Sequence, residues 1–354
     1  MTDDSPSHED LIDAGGETVA DDLLYADGEE AASDRLFADG EEAASDRLFA
    51  DGEEAASDLL YADGGEVVDD DADDAPIVVK IGGARAVDPA GALADVAHLT
   101  ATGKDVVVVH GGSTAVDDHL EALGEDPEYV ETPGGVVGRF TDETTMDVFE
   151  MVLPGKLNTD LTAALQDEGV RAVGLSGVDG GLLTGPRKSA VRVVEDGRKK
   201  IRRGDHSGKI TDVNDDLLGV LLDAGYTPVV TVPMLADDDG DVLPVNADAD
   251  RAAAAVAGAL GADLVVLTDV PGVLEDPDDE STLVERVTTP AEMAAVEDAA
   301  EGFMTKKVMA ATEALSGGAA SVVVADANNR DPVTAAYDGH GTHFEPGALG
   351  GDAP

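Results

Sequence analysis

The sequence predicts an α/β fold, a three-layer α/β/α sandwich with a mainly parallel central sheet. Three observations support this prediction. Short runs rich in Val, Ile and Leu recur from residue 75 onward, helical stretches rich in Ala and Leu separate them, and glycine-rich loops follow several of the runs. Strands that are apolar throughout are typical of sheets covered by helices on both faces, and ligands bind beyond the carboxyl ends of such strands.

Six apolar runs are the predicted strands, and they lie in the segments APIVVKIGG (75–83), KDVVVVHGGS (104–113), GVRAVGLSG (169–177), DAGYTPVVTVP (223–233), GADLVVLTDVPG (261–272) and GAASVVVAD (318–326). Their length and richness in Val favour strands over helices. Longer segments with helical spacing are the predicted helices, namely DPAGALADVAHLTATG (88–103), DDLLGVLLDAG (215–225), DADRAAAAVAGALGA (248–262) and GFMTKKVMAATEAL (302–315).

The first 75 residues differ from the rest of the chain. A unit similar to LYADGEEAASDR repeats every twelve residues, and this segment holds 27 acidic residues against two basic ones, Arg35 and Arg47. Each unit offers one Leu-aromatic pair, too little apolar surface to offset the entropy of ordering the chain. We therefore predict a disordered acidic tail over 1–75, with a repeat that binds a partner as the alternative.

Composition restricts the class of protein. The formal charge is −54 with a pI near 4.1, there is no cysteine, and no run of 18 apolar residues occurs. These values exclude disulfides and a membrane-spanning helix, and they oppose binding to nucleic acid. The opening MTDDSPSHED lacks the basic and apolar regions of a signal peptide, so we expect a cytoplasmic protein. The excess of acidic residues leads to the hypothesis that the protein needs high salt, which screens self-repulsion.

Two glycine loops follow the first two predicted strands. Lys80 precedes Gly82 and Gly83 in VVKIGG, and His110 precedes Gly111, Gly112 and Ser113 in VHGGS. Glycine lets backbone N–H groups approach an anion closely, although glycines at strand ends are also common in α/β folds without this role. Two such loops in succession favour a site in which one loop binds phosphate and the other a carboxylate.

A second lysine and a group of acidic residues complete the candidate site. Lys307 lies at the start of a predicted helix, and Asn246, Asp248 and Asp250 in PVNADADRAAAA precede another. A carboxylate at this position is often only a helix cap, so capping alone is the alternative for Asp250. The P-loop and dinucleotide-binding fingerprints are absent from the sequence.

Taken in order, the motifs K-I-G-G, H-G-G, G-R-F-T-D, G-L-S-G-V-D-G, N-A-D-A-D and L-T-D-V-P-G-V-L resemble the amino acid kinase family, specifically its acetylglutamate kinase branch. The resemblance covers roughly residues 76–347 and implies a kinase domain over 76–348, with a substrate-binding and dimerisation lobe over 76–240 and a nucleotide-binding lobe over 241–348. It also implies ATP with Mg²⁺ and a homodimer.

The resemblance further implies a role for each motif residue. Catalysis falls to Lys80 and Lys307, held in register by Asp250. The residues implied in substrate binding are His110, Gly111, Gly112, Ser113, Arg139 and Asn246, and those implied in nucleotide binding are Gly82, Gly83, Thr268, Asp269, Val273 and Leu274. A carboxylate that attacks a γ-phosphate is already ionised at neutral pH, so no protein group is expected to act as a general base. No protein ligand to a metal ion is predicted.

Three departures from ordinary acetylglutamate kinases resemble the kinases that act on amino acids tethered to a small acidic carrier protein of the LysW type. They are H-G-G-S, Asp248 in N-A-D-A-D, and a basic segment over 185–209 that holds nine of the 22 Lys and Arg residues. The pattern AVRVVEDGRKKIRR predicts a hairpin with Arg192 opposite Lys200 or Arg202 on an outward face and Ile201 pointing inward.

This hairpin is the predicted docking site for the carrier, through Arg192, Arg198, Lys199, Lys200, Arg202 and Arg203. An acidic protein needs such a cationic surface on a chain that otherwise repels it. The predicted activity is ATP-dependent phosphorylation of the side-chain carboxylate of carrier-linked glutamate or 2-aminoadipate. The alternatives are a kinase for free acetylglutamate, whose hairpin is merely basic, and a nucleotide-binding regulator without catalysis.

Overall fold

The computed structural model of the chain describes residues 75–82, 89–133, 135, 137–195, 198–238, 240–300 and 303–350. The predicted acidic tail, apart from residue 75, and Gly83 lie outside the described residues. Within them, no helix is long and apolar enough to cross a membrane.

The strands in chain order are β1 (Ile77–Ile81), β2 (Val106–His110), β3 (Tyr129–Glu131), β4 (Val137–Arg139), β5 (Ala172–Gly177), β6 (Leu183–Glu195), β7 (Arg198–Gly208), β8 (Asp212–Val213), β9 (Thr227–Asp238), β10 (Asp241–Val245), β11 (Asp263–Thr268), β12 (Arg286–Val287), β13 (Ser321–Asp326) and β14 (Thr342–Phe344). The α-helices are α1 (Ala90–Ala101), α2 (Ser113–Ala122), α3 (Glu143–Glu150), α4 (Asn158–Asp167), α5 (Asp215–Asp223), α6 (Ala249–Leu260), α7 (Pro290–Ala299), α8 (Phe303–Ser316) and α9 (Pro332–Tyr337). A π-helical segment, Met151–Leu157, joins α3 to α4.

One mainly parallel sheet holds twelve of the described strands. Its central order is β13-β11-β1-β2-β9, and each of these neighbours is parallel to the next. All six predicted strands and all four predicted helices are present, as β1, β2, β5, β9, β11 and β13 and as α1, α5, α6 and α8. The predicted α/β fold with a mainly parallel central sheet is therefore confirmed. The predicted division after residue 240 falls between the paired strands β9 and β10 and stays a prediction.

Alternation along β1 divides the core between the two faces of the sheet. Val78 packs in a cluster with residues of α6 and α8, whereas Val79 packs on the opposite face with residues of α1 and α9. Successive side chains of a strand point to opposite faces, so Lys80 lies on the same face as Val78. This parity directs the only charged residue of β1 toward α6.

Strands β6 and β7 form the predicted hairpin, but its register differs from the predicted one. Arg192 lies opposite Ile201, while Lys200 lies opposite Val193 and Arg202 opposite Val191. Val193 is buried against Val130 and Phe140 near the β3–β4 ribbon, so this face points inward.

The predicted orientation of Ile201 is therefore wrong, and Ile201 is 66% exposed on the outward face. The prediction that Arg192 lies opposite Lys200 or Arg202 is wrong for the same reason. The alternation of residues along the two strands does not show which face of the hairpin is buried. Packing against Val130 and Phe140 near the β3–β4 ribbon decides it.

Candidate active site

A cavity of about 920 Å³ opens at the carboxyl ends of the central parallel strands. Loops that follow β1, β2 and β11 line it, together with the amino-terminal ends of α6 and α8. This is the edge where ligands bind in α/β sheets, and the volume lies within the usual range for a small-molecule site. Because β1 lies between β11 and β2 in the sheet, the loops of these two strands form two halves of the cavity with Lys80 between them.

Lys80, Asp250 and Lys307 meet where the two halves join. The Lys80 Nζ lies 2.5 Å from Asp250 Oδ1, and the Lys307 Nζ donates to Asp250 Oδ2 at 3.2 Å. Lys80 is 5% exposed and Asp250 8% exposed, so both charges are largely removed from bulk water. One carboxylate therefore holds two ammonium groups side by side in the cavity wall.

Burial and charge act in opposite directions on this cluster. Burial raises the pKa of Asp250, but the charges of Lys80 and Lys307 and their hydrogen bonds outweigh it and hold the pKa well below its ordinary value. Burial lowers the pKa of Lys307, the charge of Lys80 lowers it further, and Asp250 opposes both. The carboxylate is ionised at neutral pH and lies between two lysine side chains that line the cavity.

The start of α6 assigns separate tasks to its two aspartates. Asp248 is the N-cap, and its Oδ1 accepts from the backbone N–H groups of Asp250 and Arg251 at 3.0 and 3.3 Å. Because Asp248 caps the helix, Asp250 is free to bind the lysines, and capping alone does not explain it. Asp248 also lies 3.6 Å from the Nζ of Lys306, a cavity residue that sequence reasoning missed.

In the half beside β2, Arg139 is held by a set of polar groups. It pairs with Asp117, and its Nη2 donates to the Ser113 carbonyl and Oγ at 3.0 Å and to the Tyr129 hydroxyl at 2.9 Å. The same guanidinium lies 4.9 Å from the centre of the Tyr129 ring. These contacts fix one orientation of the Arg139 fork at the cavity wall. Asp117 and Tyr129 carried no motif signal in the sequence.

Asn246 lies in the same half and connects the cavity to the hairpin. Its Nδ2 donates to Thr141 Oγ1 at 3.0 Å, and its carbonyl accepts from Gly208 N at 2.9 Å. Asp205 of β7 is 3% exposed, and its Oδ1 accepts from Thr141 N at 3.0 Å. The base of the hairpin is therefore hydrogen-bonded to Asn246 of the cavity. The sequence did not predict this link, because the residues involved are far apart along the chain.

Apolar and polar groups alternate in the half beside β11. Thr268, Asp269 and Leu274, three of the residues implied in nucleotide binding, line the cavity. The other lining residues in this half are Leu267, Val270, Gly272, Pro277, Ala299, Ala300 and Met304. Val273 is fully buried, and its N–H donates to Thr342 Oγ1 at 2.8 Å. It does not line the described cavity, so its predicted contact with nucleotide is replaced by a supporting position behind Leu274.

The comparisons with known proteins agree with this architecture. Residues 75–326 match the model of the amino acid kinase family. The chain belongs to the amino acid kinase family. It is 44% identical over 272 residues to the [LysW]-aminoadipate kinase of Thermus thermophilus, covering 75% of this chain and 98% of that protein. It is also 44% identical over 250 residues to the acetylglutamate kinase of Methanopyrus kandleri, covering 70% of this chain and 93% of that protein.

A solved structure extends the agreement to the fold. The N-acetylglutamate synthase of Neisseria gonorrhoeae, complexed with coenzyme A and N-acetyl-glutamate, superposes with a TM-score of 0.62 at 26% identity. The match covers 79% of this chain and 60% of that longer one. The amino acid kinase fold therefore occurs in proteins with different activities, and the activity of this chain has to be argued from its site.

The two glycines of the loop after β2 differ in how closely other residues approach them. A Cβ on Gly112 would lie 2.3 Å from Leu157 Cδ1 and 2.6 Å from Leu153 Cδ2, so a side chain there would force these leucines of the π-helical segment to move. A Cβ on Gly111 would lie 3.2 Å from Ala249. Gly82, Gly111, Gly112 and Ser113 all line the cavity.

His110 lies behind its loop and does not line the described cavity. It is 1% exposed, its Nδ1 lies 2.9 Å from the Gly111 carbonyl, and its Nε2 lies 3.1 Å from Asn158 Nδ2. This network assigns the ring proton to Nδ1, because the Asn158 amide donates to Nε2. The structure therefore provides no direct substrate contact for His110 and gives it the task of positioning Gly111.

Burial gives His110 a measurable effect on stability. Burial lowers its pKa to about 4, and the charge of Lys80 lowers it too, against a raising effect of the bond to Gly111. In the unfolded chain the His110 imidazole is protonated below about pH 6.5, whereas in the folded chain it is protonated only below about pH 4. The free energy of unfolding is therefore expected to fall by up to about 3 kcal/mol as the pH falls through this window.

Denaturant unfolding at pH 7 and pH 5 measures this effect in the wild type and in His110→Gln. We expect a smaller difference between the two pH values in the variant, since glutamine carries no titrating group. His340→Gln, at an exposed position, is the matched control. An equal pH dependence in the wild type and His110→Gln would contradict the assigned burial of a neutral imidazole.

Proposed function

We propose that this chain transfers the γ-phosphoryl group of ATP to the side-chain carboxylate of glutamate or 2-aminoadipate linked to a small acidic carrier protein. The product is an acyl phosphate. The proposal rests on two features of the site. The Lys80–Asp250–Lys307 cluster suits phosphoryl transfer, and a basic hairpin whose base is hydrogen-bonded to Asn246 suits an acidic protein substrate.

The chemistry needs positioning and positive charge. A carboxylate oxygen of the substrate forms a bond to the γ-phosphorus while the bond from that phosphorus to the bridging oxygen of ADP breaks, and no proton has to move. Lys80 and Lys307 are placed to neutralise charge on the transferred group and on the leaving ADP. Asp250 keeps their ammonium groups together, and neutral His110 takes no part in the chemistry.

The two halves of the cavity suit the two substrates. Leu267, Val270, Leu274 and Met304 offer apolar surface for a base on the β11 side, and Gly82 can donate its backbone N–H to phosphate. On the β2 side, the Arg139 guanidinium pairs with Asp117 and donates to Ser113 and Tyr129, so a substrate carboxylate would bind it by exchange with these partners. Asn246 offers an amide to the polar atoms of the amino acid.

Mg²⁺ would supply positive charge between the phosphate groups. The described residues contain no group of three or more His, Asp or Glu side chains placed to hold a metal ion. Mg²⁺ usually binds through substrate phosphates with few protein ligands, so the site fits an ion that arrives with ATP. The lysine cluster would then act from the protein side of the phosphates.

Two relatives, both 44% identical, are named for different substrates, so identity alone does not choose between them. The hairpin favours a carrier-linked substrate over free acetylglutamate, because a free amino acid needs no cationic ridge. Asp248 also favours a carrier-linked substrate, because ordinary acetylglutamate kinases usually carry Asn at this position. The intact lysine cluster argues against a regulator without catalysis.

A direct assay tests the substrate. Purified protein is given ATP, Mg²⁺ and either carrier-linked glutamate, carrier-linked 2-aminoadipate or free N-acetylglutamate, and ADP release and trapping of the acyl phosphate by hydroxylamine are measured. We expect kcat/KM for a carrier-linked substrate to exceed that for the free substrate by roughly 10² or more, since about 2.8 kcal/mol of docking energy gives that ratio. Equal use of N-acetylglutamate would favour the alternative kinase, and absence of ADP would favour a regulator.

The proposal includes four broader properties. The protein works in the cytoplasm, forms a homodimer as the family resemblance implies, and does not bind nucleic acid. Its charge of −54 leads to the fourth, a requirement for high salt. Activity assays over a range of salt concentrations test the last property, and full folding and activity in dilute buffer would contradict it.

A further inference from the structure

The two faces of the β6–β7 hairpin carry different kinds of basic residue. Cross-strand partners share a face, so Lys200 and Arg202 lie with Val193 and Val191 on the inward side. The outward face carries Arg192, Lys199, Ile201 and Arg203, all of them exposed. We call these four residues the outer hairpin face.

Two of the three inward basic residues, Lys200 and Arg202, have partners, and the third, Arg198, lies opposite Glu195 at the start of β7. Arg202 pairs with Glu128 and stacks 4.0 Å from the centre of the Phe140 ring, and Lys200 donates to Glu195 at 2.7 Å. The Arg202 contacts hold the hairpin near the β3–β4 ribbon that carries Arg139, whereas the Lys200–Glu195 pair joins the two strands of the hairpin. Lys200 and Arg202 therefore act in the stability and placement of the hairpin.

The basic residues of the outer hairpin face have no such partners. Among the described residues, no carboxylate pairs with Arg192, Lys199 or Arg203, and most of the Ile201 side chain is exposed. An apolar side chain that is 66% exposed between cations resembles the centre of a small interface with a charged rim. On a chain of charge −54, this is a surface on which an acidic partner meets attraction.

The hairpin also places this face within reach of the cavity. Ser207 of β7 lies beside Asn246, and four to eight residues of strand separate it from Arg203 and Lys199. At about 3.3 Å per residue, these positions lie roughly 13 to 26 Å along the strand from the cavity wall. A small protein bound there can deliver a tethered amino acid through a short extended arm.

We propose that the outer hairpin face is the surface that contacts the acidic carrier, with Ile201 at its centre and Arg192, Lys199 and Arg203 around it. This inference rests on the proposed function. It keeps three of the six predicted docking residues and adds Ile201, and it leaves out Arg198, which shares the inward face with Lys200 and Arg202. Lys200 and Arg202 support the hairpin and do not contact the carrier.

Charge reversal on one face tests the assignment. In the variant Arg192→Glu, Lys199→Glu, Arg203→Glu, we expect KM for the carrier-linked substrate to rise about tenfold to one hundredfold, with KM for ATP unchanged. KM should also depend less on salt concentration than in the wild type. Ile201→Ser alone is expected to raise the same KM several-fold without changing the salt dependence, because it removes apolar contact and no charge.

A matched control carries the same change of charge elsewhere. Lys156→Glu, Arg286→Glu, Arg330→Glu replaces three exposed basic residues outside the hairpin and the cavity, and we expect KM to change less than twofold. Carrier turnover by the wild type with an unchanged KM in the outer-face variant would overturn this inference and leave the proposed function standing. Failure of the wild type to use carrier-linked substrate would instead reject the proposed function and this inference with it.

The alternative partner of a cationic ridge is nucleic acid. Titration of the wild type with double-stranded DNA and with carrier, each followed by calorimetry, separates the two. We expect binding of carrier alone, and binding of DNA that is lost in the outer-face variant would overturn the assignment.

Discussion

Replacement of Lys80 by alanine is expected to lower kcat by roughly 10² to 10³, which is the usual cost of removing one group that stabilises transition-state charge. Lys80 lies at the junction of the two cavity halves, with its Nζ held by Asp250. Lys307 cannot take over the role of Lys80, because it already binds the other carboxylate oxygen of Asp250 from α8. Lys307→Ala is expected to have an effect of the same order.

The measurement is kcat at saturating ATP and acceptor, with KM for both substrates recorded. We expect the loss mainly in kcat, since the lysine charges gain most as charge develops in the transition state. Lys156→Ala removes an exposed lysine of a surface pair with Asp160 and is the matched control. Turnover near the wild-type rate in both Lys80→Ala and Lys307→Ala would reject the assignment of the cluster to phosphoryl transfer.

Asp250→Asn is expected to change the pH dependence of kcat as well as its size. Burial and the charge of Lys80 lower the pKa of Lys307, and Asp250 opposes them. Without the carboxylate charge, the pKa of Lys307 falls further. A lysine that must be protonated loses its function as the pH rises through its pKa, so kcat of the variant is expected to fall at a lower pH than kcat of the wild type.

A pH profile of kcat and a denaturant unfolding curve, measured together, separate catalysis from folding. Removal of one partner from a buried ionic cluster destabilises by about 3 to 5 kcal/mol, so the profile is recorded where unfolding curves show a folded variant. Asp160→Asn removes an aspartate from an exposed Asp–Lys pair and is the control. An unshifted profile in folded Asp250→Asn would contradict the idea that Asp250 keeps Lys307 charged.

Several features of the site could be predicted because their signals are local. Strand-end glycines, a lysine on a buried strand, and acidic residues before an apolar helix are properties of short segments, and their order along the chain carried the resemblance. Other features depend on long-range contacts. Thr141, Asp205 and Asn246 are separated by 41 to 105 residues, yet they form one hydrogen-bonded link. No local pattern selects such partners.

The hairpin shows how far pattern reasoning extends. Alternation predicted both strands of the hairpin correctly. It could not choose which face is buried, because both faces carry apolar and basic residues in equal spacing. Phe140 and Val130 decide which face is buried, because Val193 of the hairpin packs against them in one apolar cluster.

The sequence by itself determined the parallel α/β sheet, the ends of its strands and the residue types brought to them, because apolar runs and glycines act through local backbone preferences and burial. Tertiary structure alone decided which of those residues meet. Parity along β1 directs Lys80 to α6, the Asp248 cap leaves Asp250 to two lysines, and packing against Phe140 turns Ile201 outward. Each of these outcomes depends on contacts between segments that are distant in sequence. The free energy gained by burying a side chain depends on the residues it packs against, and only the folded structure brings those residues together.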